Sequence, residues 1–117
     1  MTIEEVKAYF LSKRGAIEDY PFGPETPVFK VGSKMFALIT DHFDEPAINL
    51  KYNKDGIEMV RAGSEWIIPG YHMSKSHWNT LFIEKLEDGL IKELIDVSYN
   101  LVYSSLTKAV RKQIEEA

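Results

Sequence analysis

The chain has no cysteine. That absence excludes a disulfide framework, thiolate chemistry and cysteine-ligated zinc, and it suits a reducing compartment. No apolar run approaches the ~20 residues a helix needs to cross a bilayer. The opening MTIEEVKAYF carries acids where a secretion signal would place a basic segment and an apolar core. A soluble, cytoplasmic protein is the expectation. Positive charge is scarce too: 14 Lys and Arg against 18 Asp and Glu give a formal net charge of −4, whereas general polyanion binders are usually basic. Hydrophobic residues make up 44% of 117 positions and charged residues 27%. Such a chain is too apolar for disorder and long enough for one core, so a single domain over residues 1–117 is expected.

The charge is unevenly spread. Residues 1–27 hold 3 basic against 5 acidic side chains, residues 28–83 hold 6 against 6, and residues 84–117 hold 5 against 7. Any surface for an anion should therefore lie in the middle third. Within it, GYHMSKSHWNT at 70–80 contains no acid at all.

Local patterns predict the elements. Thr2 and Glu5 form a capping box ahead of Ile3, Val6 and Phe10 at helical spacing, with Gly15 as the stop. DYPFGPETP holds three prolines and cannot be helical, so it should be a rigid turn that Tyr20 and Phe22 pin to the core. PVFKV and KMFALIT around Gly32-Ser33 predict a hairpin over 28–39, because a two-residue turn beginning with glycine matches strand twist. AINLK reads as a third strand. Asn53 should cap a short helix over KDGIEMVRA, closed by Gly63. EWIIP and HWNTLFI read as two further strands, and a helical pattern runs from Asp88 onward with a break near residues 96–98. The order α-β-β-β-α-β-β-α-α predicts an α+β fold: one antiparallel sheet of about five strands with helices on one face.

Few catalytic sets can be assembled. His72 and His77 are five apart, which puts them on opposite faces of a strand, and adding His42 gives no zinc-type spacing. Ser74 and Ser76 neighbour these histidines, but no nucleophile elbow surrounds them and no carboxylate is close in sequence. The acids at Asp41, Asp44 and Glu45 read as a solvated turn. The expectation is a non-enzymatic protein without a metal or other cofactor. An anion-binding surface fits better: His72, Lys75, His77 and Asn79 offer donors, Tyr71 and Trp78 offer flat faces, and Lys30, Lys34 and Lys51 lie on the neighbouring hairpin and strand. On this reading Trp78, Thr80 and Phe82 share one face of a strand, with Trp78 at the core edge and Lys75 in solvent.

YPFGP at 20–24, VFKVGSKMFAL at 28–38, NLK at 49–51, PGYHMSKSHWNT at 69–80 and SYNLVYSSL at 98–106 together resemble the MmcQ/YjbR family of small bacterial proteins. The resemblance covers residues 15 to 112, in order. It implies a two-layer α+β fold similar to frataxin-like or secretion-chaperone-like domains. It also implies DNA binding through a double wing of hairpins, which would fall on Lys30, Lys34, Lys51, Lys75, His77, Trp78 and Asn79. Ser74 and Ser76 stand where relatives often carry asparagine or a further basic residue. Two expectations follow: weak, largely nonspecific contact with duplex DNA, or the binding of a small anionic ligand or peptide.

Overall fold

The computed structural model describes residues 1–117. Its elements run α1 (Ile3–Leu11), β1 (Ile17–Asp19), β2 (Val28–Val31), β3 (Lys34–Thr40), β4 (Ala47–Lys51), α2 (Ile57–Ala62), β5 (Ile67–Pro69), β6 (Trp78–Phe82), α3 (Asp88–Ser105) and α4 (Lys108–Glu116). The strands form one sheet in the order β1-β2-β3-β4-β6-β5, with every neighbouring pair antiparallel. The α+β architecture is as expected, with six strands where about five were predicted. The additional strand, β1, is only three residues long and pairs Ile17 to Asp19 with Lys30 to Val28. No helix is long and apolar enough to cross a membrane.

Cross-strand partners point to the same side of a sheet, so the register sorts the side chains. One side carries Phe29, Ala37, Leu50, Ile48, Leu81 and Ile67, which join α1 and α3 in a single buried cluster. Val6 and Phe10 enter from α1, and Ile91, Ile95, Tyr99 and Val102 from α3. Phe10 meets Phe29 with ring centroids 4.7 Å apart, and Phe36 meets Tyr99 edge-on at 5.3 Å. The opposite side carries the row Val28, Leu38, Asn49, Thr80 and Ile68. Loops, rather than helices, lie over that side.

The β2–β3 register shifts by one residue after Phe29, and Phe36 has no cross-strand partner. This bulge lets Phe36 and Ala37 both join the helix-side cluster. It also leaves a carbonyl to be satisfied. Ser98, buried in the middle of α3, donates from Oγ to the Phe36 carbonyl at 2.6 Å and accepts from the Lys51 N–H at 2.8 Å. A single hydroxyl thus ties α3 to two strands where the ladder is irregular.

That contact bears on the expected break near residues 96–98, which the structure places elsewhere. α3 runs unbroken through Ser98, and the chain turns at Leu106 and Thr107 instead. Leu106 adopts an extended conformation and joins the core, while Thr107 accepts from the Val110 N–H and starts α4. Two other local expectations also shift. Asn53 accepts from the Asp55 N–H within a turn, and α2 begins later, at Ile57, behind Gly56. Tyr20 and Phe22 do not enter the core: they are 42% and 66% exposed.

The hairpin turns at Gly32 and Ser33, whose φ values of +56° and +69° are those a tight right-twisted hairpin needs. A Cβ on Gly32 would lie 2.7 Å from Leu106 Cδ1 and 3.0 Å from Val110 Cγ1. The turn therefore lies against the start of α4.

Ser98→Ala should be costly, because it strands a buried carbonyl and a part-buried N–H together. A loss of about 2–4 kcal/mol in urea unfolding is expected. A loss below about 0.5 kcal/mol, the range of an unremarkable surface change, would contradict the bridging role.

Candidate functional site

The acid-free segment begins where β5 stops. Pro69 pairs with Asn79 at the last rung, and the Gly70 N–H then donates to the Trp78 carbonyl at 2.9 Å. A Cβ on Gly70 would sit 2.8 Å from Trp78 Cβ and 3.0 Å from Trp78 O, so only glycine lets the chain pass this close.

Tyr71 next crosses onto the side of the sheet that the helices leave free. Its N–H donates to Thr80 Oγ1 at 3.0 Å, and its carbonyl accepts from Asn49 Nδ2 at 3.2 Å. The Thr80 hydroxyl donates in turn to Asn49 Oδ1 at 2.5 Å. Asn49 and Thr80 are cross-strand partners on β4 and β6, and both are buried. Two adjacent strands thereby hold both backbone groups of one loop residue. A second clamp holds the other end of the segment from the helix side. Arg61 of α2 donates from Nε to Asn79 Oδ1 at 2.7 Å and from Nη2 to the carbonyls of Trp78, at 3.1 Å, and Lys75. Its Nη1 reaches Glu58 at 3.0 Å, and its side chain is only 12% exposed.

Between the clamps, His72 sits at φ +57°, a left-handed conformation that costs a residue with a Cβ roughly 1–2 kcal/mol. His42 lies flat on Tyr71, with ring centroids 3.7 Å apart and planes 13° apart. Phe43 meets Tyr71 at 5.6 Å and Phe82 at 4.9 Å, both edge-on, and so continues the aromatic cluster along the sheet.

These contacts border a cavity of about 410 Å³ over the free side of the sheet. Leu38, Thr40 and Asn49 supply strand residues beneath it. Phe22 and Thr26, from the proline-rich turn, line it together with His42, Tyr71, His72 and Met73. Asp41 is the one carboxyl group in the lining, which contains no lysine or arginine. YPFGP and PGYHM, about fifty residues apart in the chain, meet at this cavity.

The residues proposed from sequence scatter around it, and of the eight only His72 lines the cavity. Trp78 and Asn79 are buried, at 8% and 2% exposure, so neither offers a face or an amide to solvent. Trp78 does share the free side of the sheet with Thr80 and Phe82, following the register. Lys30 is paired with Asp19 at 2.8 Å. Hydrogen bonds from Lys30 and from the Tyr20 N–H hold the Asp19 carboxyl below its ordinary value. Lys34 reaches Ser105 of α3 at 3.5 Å, Lys75 folds back onto the Gly70 carbonyl at 3.0 Å, and Lys51 ends β4 beside Trp78. His77 Nδ1 lies 3.0 Å from Ser76 Oγ, with no carboxylate on either. Sequence reading gave Asn49 and Arg61 no role here, weighed His42 only as a metal ligand, expected Phe22 in the core and placed Thr80 only on the strand face of Trp78.

The YjbR family profile matches residues 11–101. The chain belongs to the YjbR family. It is 38% identical over 96 residues to the uncharacterized protein YbdF of Escherichia coli O157:H7, an alignment spanning 81% of this chain and 79% of that one. It is 30% identical over 113 residues to the uncharacterized protein YjbR of Escherichia coli K12, covering 96% of each. A Deinococcus radiodurans protein of known crystal structure superposes with a TM-score of 0.87 at 34% identity, over 97% of this chain and 88% of that one. A Pseudomonas syringae protein superposes at 0.77 with 26% identity, over 87% and 99%.

Within this YjbR chain, burial separates two neighbouring side chains sharply. Trp78→Ala should cost about 3–5 kcal/mol in thermal unfolding, the range for an emptied aromatic site. Lys75→Ala, at an exposed position, should stay within about 0.5 kcal/mol. A Trp78 variant as stable as wild type would mean that the ring is a free stacking surface.

Proposed function

We propose that this YjbR-family protein is a non-enzymatic binding protein that receives a small molecule in the cavity on the helix-free side of its sheet. The observation that carries this reading is the convergence of the YPFGP turn and the doubly clamped GYHM segment on one aromatic-lined cavity. Its volume of about 410 Å³ lies in the range of small-molecule sites. Strain at His72, within the lining, is the kind of local cost that folded proteins keep where a ligand is held. The hydroxyls of Thr26 and Thr40 make no hydrogen bond to an imidazole, and the Ser76–His77 pair lies outside the lining, so a nucleophile–base pair is not assembled there.

Duplex DNA is less well served. Of the cations that would grip it, Lys30 is neutralised by Asp19, Lys75 is turned onto a backbone carbonyl, and Lys34 reaches toward the helix layer. The hairpin that would act as one wing rests against α4.

A comparison of labelled duplex DNA with a small-molecule fragment set, followed by backbone amide shifts, tests the reading. Fragments are expected to move amides of Phe22, Thr40, His42, Asn49 and Tyr71 saturably, while DNA leaves them unmoved even at low salt. DNA that shifts the lysine-bearing strand ends, with affinity falling steeply as salt rises, would overturn it if the cavity stayed silent to every fragment.

A further inference from the structure

We infer that the cavity takes a flat nitrogen heterocycle bearing an exocyclic amino group, a ring of the kind found in nucleosides such as adenosine and cytidine. The inference rests on the cavity being the binding site.

Shape gives the first part of the argument. The His42–Tyr71 pair is already a parallel stack, and His42 is exposed, so its imidazole can accept another ring. Phe22 also lines the cavity and keeps 66% of its surface exposed, although its turn is stiffened by proline on either side. A planar guest between Phe22 and His42 would cover the one and extend the stack of the other. Aromatic surfaces receive bases this way with little regard to sequence. The volume of about 410 Å³ exceeds the ~150 Å³ that suffices for a benzene ring, which leaves space for a base and part of a sugar.

Charge and hydrogen bonding give the second part. With no lysine or arginine in the lining and Asp41 present, the cavity disfavours a carboxylate or phosphate inside it and favours N–H donors. Asn49, 1% exposed, uses one amide proton on Tyr71 and one lone pair on Thr80. Its remaining proton and lone pair are as buried as the rest of the side chain, so Asn49 fixes the floor of the cavity and leaves the reading of a guest to Asp41 and the hydroxyls around it. The hydroxyls of Thr26 and Thr40 add groups that can do either. A ring edge that alternates donors and acceptors matches this set, and a purely hydrocarbon ring leaves it unused.

The test is an amide-shift titration of the whole protein with adenosine, cytidine, uridine and benzoate, repeated on Asp41→Ala and Phe22→Ala. Both side chains are exposed, and the unperturbed remainder of each spectrum verifies that the variants fold. Adenosine and cytidine should bind at millimolar concentration or below through residues 22, 40–42, 49 and 71–73. Asp41→Ala should weaken these two about tenfold, the effect of losing a charge-assisted hydrogen bond, and leave benzoate, which has no N–H, no weaker. Phe22→Ala should weaken every ring. Benzoate binding at the same amides while the amino heterocycles do not would overturn the ligand class and leave the cavity reading intact. Unchanged affinity for adenosine in Asp41→Ala would also overturn it. Silence of these amides toward all four compounds and toward the fragment set would remove both readings.

Discussion

The free side of the sheet depends on three hydrogen bonds among Asn49, Thr80 and the backbone of Tyr71. A loop residue normally satisfies its N–H and carbonyl with water. Here both are satisfied by side chains rising from adjacent strands, and those side chains bond to each other. Each bond contributes only about 0.5–1.5 kcal/mol net, but breaking one in so dry a place strands its partner at a cost of about 1–3 kcal/mol. The closed set is therefore harder to open than its sum suggests. Tyr71 becomes part of the sheet's covering, His42 and Phe43 pack around it, and the cavity inherits a fixed side.

Arg61 does the complementary task from the helix side. By holding Asn79 and two carbonyls it curls the segment around the end of β6, so that one stretch of chain is fastened on both sides of the same sheet. This arrangement engages three of the residues that look like nucleic-acid contacts when read in sequence. Asn79 turns inward to receive Arg61, Trp78 packs against the sheet, and the Lys75 ammonium caps the Gly70 carbonyl. The cavity lining is aromatic and mixed-polar with one carboxylate and no lysine or arginine.

The hairpin over residues 28–39, the later strands β4, β5 and β6 and the first helix were legible because each is specified locally, by alternation, turn chemistry and a capping box. The elements that escaped depend on partners far away in sequence. β1 has three residues and exists by pairing with β2. The turn between α3 and α4 follows from Leu106 entering the core, with no proline or glycine to announce it. For the cavity, the unusual composition of GYHMSKSHWNT pointed to a segment that borders it, and of the residues singled out there His72 lines it. Alternation placed Trp78 correctly on a face shared with Thr80 and Phe82, yet nothing in the sequence says which face of a sheet lacks helices. Arg61 and Asn49 gave no local signal, since an arginine in a short helix and an asparagine in a strand gain meaning only from what lies across from them. Phe22 was misread for the usual reason that a large aromatic is expected inside.

The central claim is that the GYHM segment is a fixed side of a preformed cavity and not a mobile basic arm. Hydrogen exchange at the Tyr71 amide tests it most directly. If Thr80 and Asn49 hold the residue as described, that amide should exchange as slowly as its neighbours in β4 and β6, while the amides of Lys75 and Ser76, which donate to no protein acceptor, exchange at loop rates. A Tyr71 amide exchanging as fast as those of Lys75 and Ser76 would contradict the account, because the cavity would then lack a fixed side.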